Sequence, residues 1–300
     1  MLADMRMRTV IVLALLALPL LTSGCGGGAA HAAGAVDVVA AENVYGNIAA
    51  QIGGPHVSVT SILTNPDADP HLFEPGTSNG LAVADAKVVL QNGLGYDAFM
   101  AKLENAAPSK TRIVVTMADV LGIHGKDANP HLWYDVPQLG RIAMAIASGL
   151  ERADPSHAVA YRRGLQRFER SVAPLRREVA TIRTRFGGAP VAYTEPVPGY
   201  LVASVKLHNL APDSFTRPIE EGTEPPPSAV SAMNALVAKH RIRVLLYNSQ
   251  AVSPITARVQ SAARATGIPV VPVSETLPPH LSFQRWQFGQ ARALATALAR

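Results

Sequence analysis

A single cysteine occurs among the 300 residues. That excludes an internal disulfide, and with it cysteine-ligated zinc fingers, iron–sulfur clusters and CxxC redox chemistry. Charge is sparse: Asp, Glu, Lys and Arg make up 16% of the chain and aromatic residues 5%. Lys and Arg outnumber Asp and Glu by 27 to 22, a net +5 that is too diffuse over this length to mark a nucleic-acid surface. No His-Glu-x-x-His is present, so paired histidines on one helix, the usual frame of a zinc hydrolase, are missing. Apolar residues are plentiful at 48%, which excludes disorder as the main state and suffices for two domains with cores of their own.

The chain opens with Arg6 and Arg8 followed by 13 apolar or small residues at 9–21, too short a run to span a bilayer comfortably as a folded helix. Residues 1–24 are therefore expected to be an export signal. The sequence LTSGC at 21–25 resembles the lipobox of bacterial lipoproteins, which implies cleavage before Cys25 and lipid attachment to its thiol. Ordinary cleavage near residues 31–33 is the alternative. Residues 25–35 are small and Gly-rich, suited to a flexible tether, and the folded body is expected from Val36.

Beyond the tether, short β-rich runs alternate with helical stretches. Strands are predicted at 36–40, 56–63, 88–90 and 112–115, with helices at 43–52, 77–86, 97–105 and 136–152. The second half repeats the scheme, with strands at 191–193, 242–247 and 269–273, a short run near Leu210, and helices at 199–206, 228–239, 255–265 and 283–299. The prolines of EPPP at 224–227 stiffen the loop that carries them. Strands separated by helices imply a parallel sheet covered on both faces. The fold class is thus α/β, two Rossmann-like lobes at 36–153 and 188–300.

Between them, residues 154–187 predict a long helix with Asp154 as N-cap and Pro155 at its first position. Tyr161, Leu165, Phe168, Val172, Leu175, Val179, Ile182 and Phe186 form one apolar stripe at alternating spacings of three and four. Such a helix would extend about 48 Å, long enough to run past both lobes. Pro174 is expected to kink or split it. Arg162, Arg163, Arg167, Arg170, Arg176 and Arg177 lie on the opposite side, which predicts a solvated face.

In open α/β sheets ligands bind beyond the carboxyl ends of the strands. Four polar residues fall there: His71 in the loop after the second strand, His131 after the fourth, Glu195 after the first strand of the second half, and Glu275 after its last. Each histidine lies in a Pro-His-Leu-aromatic segment, at 70–73 and 130–133. Each residue alone has a structural reading, as a helix cap or a hydrogen-bonded loop residue. Together they bring two imidazoles from one lobe and two carboxylates from the other to the interlobe cleft. Two nitrogens and two carboxylate oxygens suit Zn²⁺ or Mn²⁺ and serve Cu(I) poorly, because copper(I) prefers sulfur and these loops hold neither Met nor Cys.

AENVYGN at 41–47, NPDADPHLFEP at 65–75, NGLGY at 92–96, NPHLWYD at 129–135 and EEGTEP at 220–225 together resemble the cluster A-I solute-binding lipoproteins of zinc and manganese ABC transporters. The resemblance extends over essentially the whole mature chain. It implies two lobes joined by a rigid backbone helix, with small lobe motions on binding. It also implies that His71 and His131 match the two N-lobe metal ligands, and that Glu195 matches a third ligand that is His in many zinc binders and Glu in many manganese binders. Glu275 falls where the family usually has Asp. The His-rich acidic loop of many zinc members is short here and contains only His124. His208 and His280 are secondary candidates, as substitute ligands or access-path residues.

The leading expectation is an extracytoplasmic receptor, not an enzyme. It would capture one divalent ion as transported ligand and deliver it to the permease and ATPase subunits of an ABC importer. The receptor is expected to be a monomer, lipid-anchored through Cys25 on the outer face of the cytoplasmic membrane or periplasmic, without nucleic acid. Protonation of either histidine should compete with metal, weakening binding below about pH 6. Two readings from other classes are an exported zinc-dependent hydrolase and an adhesin using the basic helix face.

Overall fold

The computed structural model describes residues 34–67 and 69–300. The expected signal at 1–24, Cys25 and nearly all of the tether lie outside the described residues. No helix among the described residues is long and apolar enough to cross a membrane.

The first lobe is built on β1 (Val36–Glu42), β2 (Val57–Leu63), β3 (Val88–Gln91) and β4 (Ile113–Thr116). They form one parallel sheet in the order β2-β1-β3-β4. The intervening helices are α1 (Asn43–Gly53), α2 (Thr77–Asp85), α3 (Phe99–Ala106), α4 (Met117–Leu121) and α5 (Leu139–Ala153). Two further helices, α6 (Ala158–Ser171) and α7 (Ala173–Phe186), lead into the second lobe. There β5 (Pro190–Tyr193), β6 (His208–Asn209), β7 (Val244–Asn248) and β8 (Val270–Val273) repeat the topology in the order β6-β5-β7-β8. Helices α8 (Gly199–Ser204), α9 (Asp213–Glu220), α10 (Pro227–Ala238), α11 (Pro254–Ala265) and α12 (Phe283–Leu298) accompany this sheet.

Alternation along the strands decides how the layers pack. In β7, Val244 and Leu246 join the large core shared with the first lobe, while Leu245 points into a second cluster with Phe215, Met233 and Val259 from the helices on the other face. Buried on both faces, such strands carry nearly continuous apolar text, as parallel strands do.

The linking segment differs from one unbroken helix. A single 3₁₀ turn at Pro155–His157 precedes α6, and Val172 ends α6 and starts α7, with Pro174 in the first turn of the latter. Proline lacks an amide hydrogen and is tolerated at a helix start, so the break falls just before it. The stripe survives the break: Tyr161, Phe168, Val172, Leu175, Val179 and Ile182 are all buried. The six arginines opposite are exposed, as a solvated face requires. Helix α6 packs on α1 and α5 of the first lobe, and α7 packs on α12 of the second.

The polar side of α1 ties the lobes at one edge. The Asn43 side chain donates to the Leu277 carbonyl and accepts from the Leu277 amide, at 2.8 and 2.9 Å. Asn47 accepts from the Phe283 amide at 2.9 Å, and Gln51 and Gln284 exchange two side-chain hydrogen bonds at 3.1 and 2.9 Å. Spaced four apart, the three residues share one helix face.

Gly164 of α6 faces the Ile52 carbonyl at the end of α1 so closely that an added Cβ would overlap its oxygen. Helix propensity alone would make Gly164→Ala stabilising by about 1 kcal/mol. The backbone clash reverses the sign, and a loss of about 2 kcal/mol is expected, read as a lowered midpoint of denaturant unfolding. An unchanged or raised midpoint would contradict this packing.

Candidate metal centre

The carboxyl ends of the strands in both sheets face one cleft of about 570 Å³, lined by His71, Tyr96 and Asn129 from the first lobe and by Tyr193, Pro196 and Glu220 from the second. At its floor the segments after β2, α4 and β8 converge. His71, His131 and Glu275 form a group whose donor atoms all lie within 4.8 Å of one another, close enough to share one ion. Glu275 Oε2 lies 3.1 Å from His131 Nε2 and 3.4 Å from His71 Nε2, and it accepts a 2.9 Å hydrogen bond from the Tyr96 hydroxyl. The His131 and Glu275 side chains are fully buried, whereas His71 keeps 20% of its side chain exposed toward the cleft.

The backbone that carries each imidazole is fixed by a neighbouring side chain. A 3₁₀ turn at Pro70–Leu72 carries His71, whose amide donates to Asp69 Oδ1 at 2.9 Å. The Asn129 amide nitrogen donates to the Pro196 carbonyl of the other lobe at 2.7 Å, so its oxygen turns to His131. There it accepts from the His131 amide at 3.0 Å and stands 2.8 Å from Nδ1. With a carbonyl-type oxygen opposite it, Nδ1 carries a hydrogen, and Nε2, 3.1 Å from Glu275 Oε2, is the atom turned toward the place of a metal. The Tyr96 and Trp133 rings wall the pocket edge-on to His131 at 5.7 and 5.5 Å.

Glu275 is held by backbone contacts on both sides. Its amide and that of Thr276 donate to Gln250 Oε1 at 2.6 and 3.1 Å, the Ser274 carbonyl accepts from the Tyr134 hydroxyl at 2.6 Å, and the Leu277 amide is tied to Asn43. Glu275 thus reaches both imidazoles from a fixed backbone.

Glu195 stands outside the three-residue group. It is 1% exposed, and its Oε2 accepts from Asn248 Nδ2 at 2.8 Å, the same nitrogen that donates to Glu275 Oε1 at 2.6 Å. Glu195 Oε1 is buried with no hydrogen-bond partner among the described residues, as is Glu220 Oε1, which lies 3.7 Å from His131 Nδ1. His208 is exposed and pairs with Pro190 at the start of β5, at the end of the sheet away from the cleft, and His280 is exposed in a loop, so neither joins the cluster. Asn248, Tyr96 and Asn129 are site residues that the sequence alone does not single out. Asn248, like the acids, stands at a strand's carboxyl end, that of β7, but its amide is a poor metal ligand and nothing in its sequence context marks it.

The charges result from burial and pairing. Burial alone would raise the Glu275 carboxyl, yet its contacts with His131 and His71 hold it well below the usual carboxylate range. Burial would lower His71, but Glu275 outweighs it and pushes the imidazole up to about 9. Burial, with Glu275 nearby, raises the Glu195 carboxyl to about 8 against the opposing Asn248 hydrogen bond. Burial likewise pushes Glu220 up. The protein as described therefore holds its negative charge on Glu275 and protons on His71 and Glu195 at neutral pH.

Two parallel sheets of identical topology, an interlobe cleft and a buried His/Glu cluster define a two-lobed solute-binding protein with a metal-type site. The family described as zinc-uptake complex component A, periplasmic (ZnuA) matches residues 38–297, and the chain belongs to it. The chain is similar to the manganese-binding lipoprotein MntA of Bacillus subtilis, 29% identical over 188 residues that cover 59% of this chain and 61% of that protein. It thus spans less than two thirds of that relative's length. A putative metal-binding protein of Treponema pallidum is 24% identical over 268 residues, 82% of each chain. The fold resembles that of the periplasmic zinc binding protein TroA from Treponema pallidum, with TM-score 0.75 and 16% identity over 89% of this chain and 100% of that one.

The pairing of His71 with Glu275 sets a titration. In the metal-free chain the His71 ring should remain imidazolium at pH 7.5 and lose its proton near pH 9, and Glu275→Gln should return it to about 6.5 or below. Imidazole chemical shifts measured by NMR check both. Titration near pH 6.5 in the unaltered chain would contradict the arrangement.

Proposed function

We propose that this chain captures one divalent transition metal ion, Zn²⁺ or Mn²⁺, in the interlobe cleft and delivers it to the permease of an ABC importer. His71, His131, Glu195 and Glu275 are the proposed ligands. The observation that carries the reading is the convergence of two imidazole Nε2 atoms from one lobe on a fully buried carboxylate oxygen from the other. A lone anion is costly to bury, and a cluster of Lewis bases shielded from water is stabilised by a cation. The names of the relatives support the same reading, since they bind manganese, zinc or an unspecified metal.

Capture is exchange in this account: the ion takes the place of the protons on His71 and Glu195. Export, anchoring through Cys25, a monomeric state and two lobes at 36–153 and 188–300 joined by a linking segment at 154–187 complete the proposal. Delivery uses the same geometry, because drawing the second lobe back would take Glu195 and Glu275 together from the ion and weaken its hold. Nothing is chemically transformed.

Competitive titration with Zn²⁺ and Mn²⁺ tests the reading. One ion per chain is expected, weakened at least tenfold by Glu275→Ala and by Glu195→Ala. At pH 7 uptake should release about two protons, so apparent affinity falls up to about a hundredfold for each pH unit below 7. Isothermal titration in buffers of different ionisation enthalpy measures the proton count. Unchanged affinity from pH 7.5 to 5.5, or no stoichiometric ion, would end the proposal.

A further inference from the structure

We infer that Asn248 is a specificity-determining residue, which confines both acidic ligands to one oxygen each and so biases the cleft toward four-coordinate ions such as Zn²⁺ over Mn²⁺. This inference rests on the capture proposal above. Asn248 closes β7 and is 1% exposed. Its Oδ1 accepts from the Gln250 amide at 3.0 Å, which fixes the orientation of the side-chain amide and turns Nδ2 to the acids. Both Nδ2 hydrogens are then used, one on Glu195 Oε2 at 2.8 Å and one on Glu275 Oε1 at 2.6 Å.

The oxygens left over are those an ion can use. What separates them is orientation: Glu195 Oε1, buried without a hydrogen-bond partner among the described residues, is turned from Asn248, and so is Glu275 Oε2, which accepts from the Tyr96 hydroxyl and faces the two imidazoles. His71, His131 and Glu275 already stand within reach of one ion, and Glu195 Oε1 drawn in to it would complete an N₂O₂ set of four single donors, the number and type that zinc takes in tetrahedral sites. Manganese favours six-fold, oxygen-rich coordination. It would need a second oxygen from one or both carboxylates, or water molecules. Swinging either carboxylate to present both oxygens strips a buried amide hydrogen of its acceptor, which is unfavourable. Glutamate at the third position, taken alone, leans toward manganese. The Asn248 bridge alters that leaning by halving what each glutamate can offer.

Co²⁺ reports coordination number directly, because four-coordinate Co²⁺ absorbs intensely in the visible and five- or six-coordinate Co²⁺ weakly. The unaltered chain should bind one Co²⁺ with intense bands. Asn248→Ala should convert these to weak bands and lower the ratio of Zn²⁺ to Mn²⁺ affinity roughly tenfold or more. Asn248→Asp keeps the acceptor for Gln250 and removes both donated hydrogens, and it carries the same expectation should the alanine variant fold poorly. Weak bands in the unaltered chain would overturn the inference while leaving capture intact. So would equal weakening of Zn²⁺ and Mn²⁺ in the variants with intense Co²⁺ bands retained. Failure of the unaltered chain to bind any of the three ions stoichiometrically would instead remove the capture proposal, and the inference with it.

Discussion

The carboxylate of Glu275 is the group on which the site depends. It is fully buried, and an ionised carboxylate without partners in such a place would simply take up a proton. It stays ionised because a tyrosine hydroxyl, an asparagine amide and two imidazoles all direct hydrogens or positive charge at it. That arrangement transfers the need for a proton to its neighbours, His71 and Glu195. A cluster with one firmly held negative charge and two displaceable protons is suited to exchange protons for a dication, and the proposed function uses no more chemistry than that.

The fold supplies the geometry by duplication. Two sheets with the same strand order direct their carboxyl ends at each other, so residues just past the strands of either half meet across a single cleft. The imidazoles and their supports come from one half, Glu195 and Asn248 from the other, and Glu275 is fastened to both: Gln250 holds its amide from its own lobe, while Tyr134 and Asn43 grip the flanking residues from the opposite one. Along α1 the amide side chains tie the lobes at one edge. Asn129 and Pro196 join them near the cleft itself. Buried apolar contacts of α6 and α7 run behind the site.

Much of this is legible in the sequence. Runs rich in valine and isoleucine between glycines mark strands within a few residues of their observed ends, because buried parallel strands advertise themselves by continuous apolar text. The stripe from Tyr161 to Ile182 identifies the linking segment, and Pro174 announces its break. Less legible are α4, too short to show a period, and α9, which contains Pro218 and would ordinarily be read as a loop. In the site, His71, His131 and Glu275 stand out as the metal-type side chains just beyond the carboxyl ends of strands, and the fold brings them together. That Glu195 stands one hydrogen-bonded bridge away from Glu275 cannot be read from the sequence, since it depends on where Asn248 at the end of β7 lies between the loops after β5 and β8. The elevated proton affinity of His71 is equally hidden, being set by a residue 204 positions away in the chain. It moves the expected loss of metal binding from about pH 6 to the neutral range.

The central claim is that a single ion joins the two lobes through residues of both. Anomalous scattering from crystals of the zinc-loaded chain tests it most directly. The account requires one peak per chain, about 2.0–2.2 Å from Nε2 of His71 and His131 and from one oxygen each of Glu195 and Glu275. An ion bound by residues of one lobe alone, or a peak at a surface histidine with the cleft left unoccupied, would contradict it.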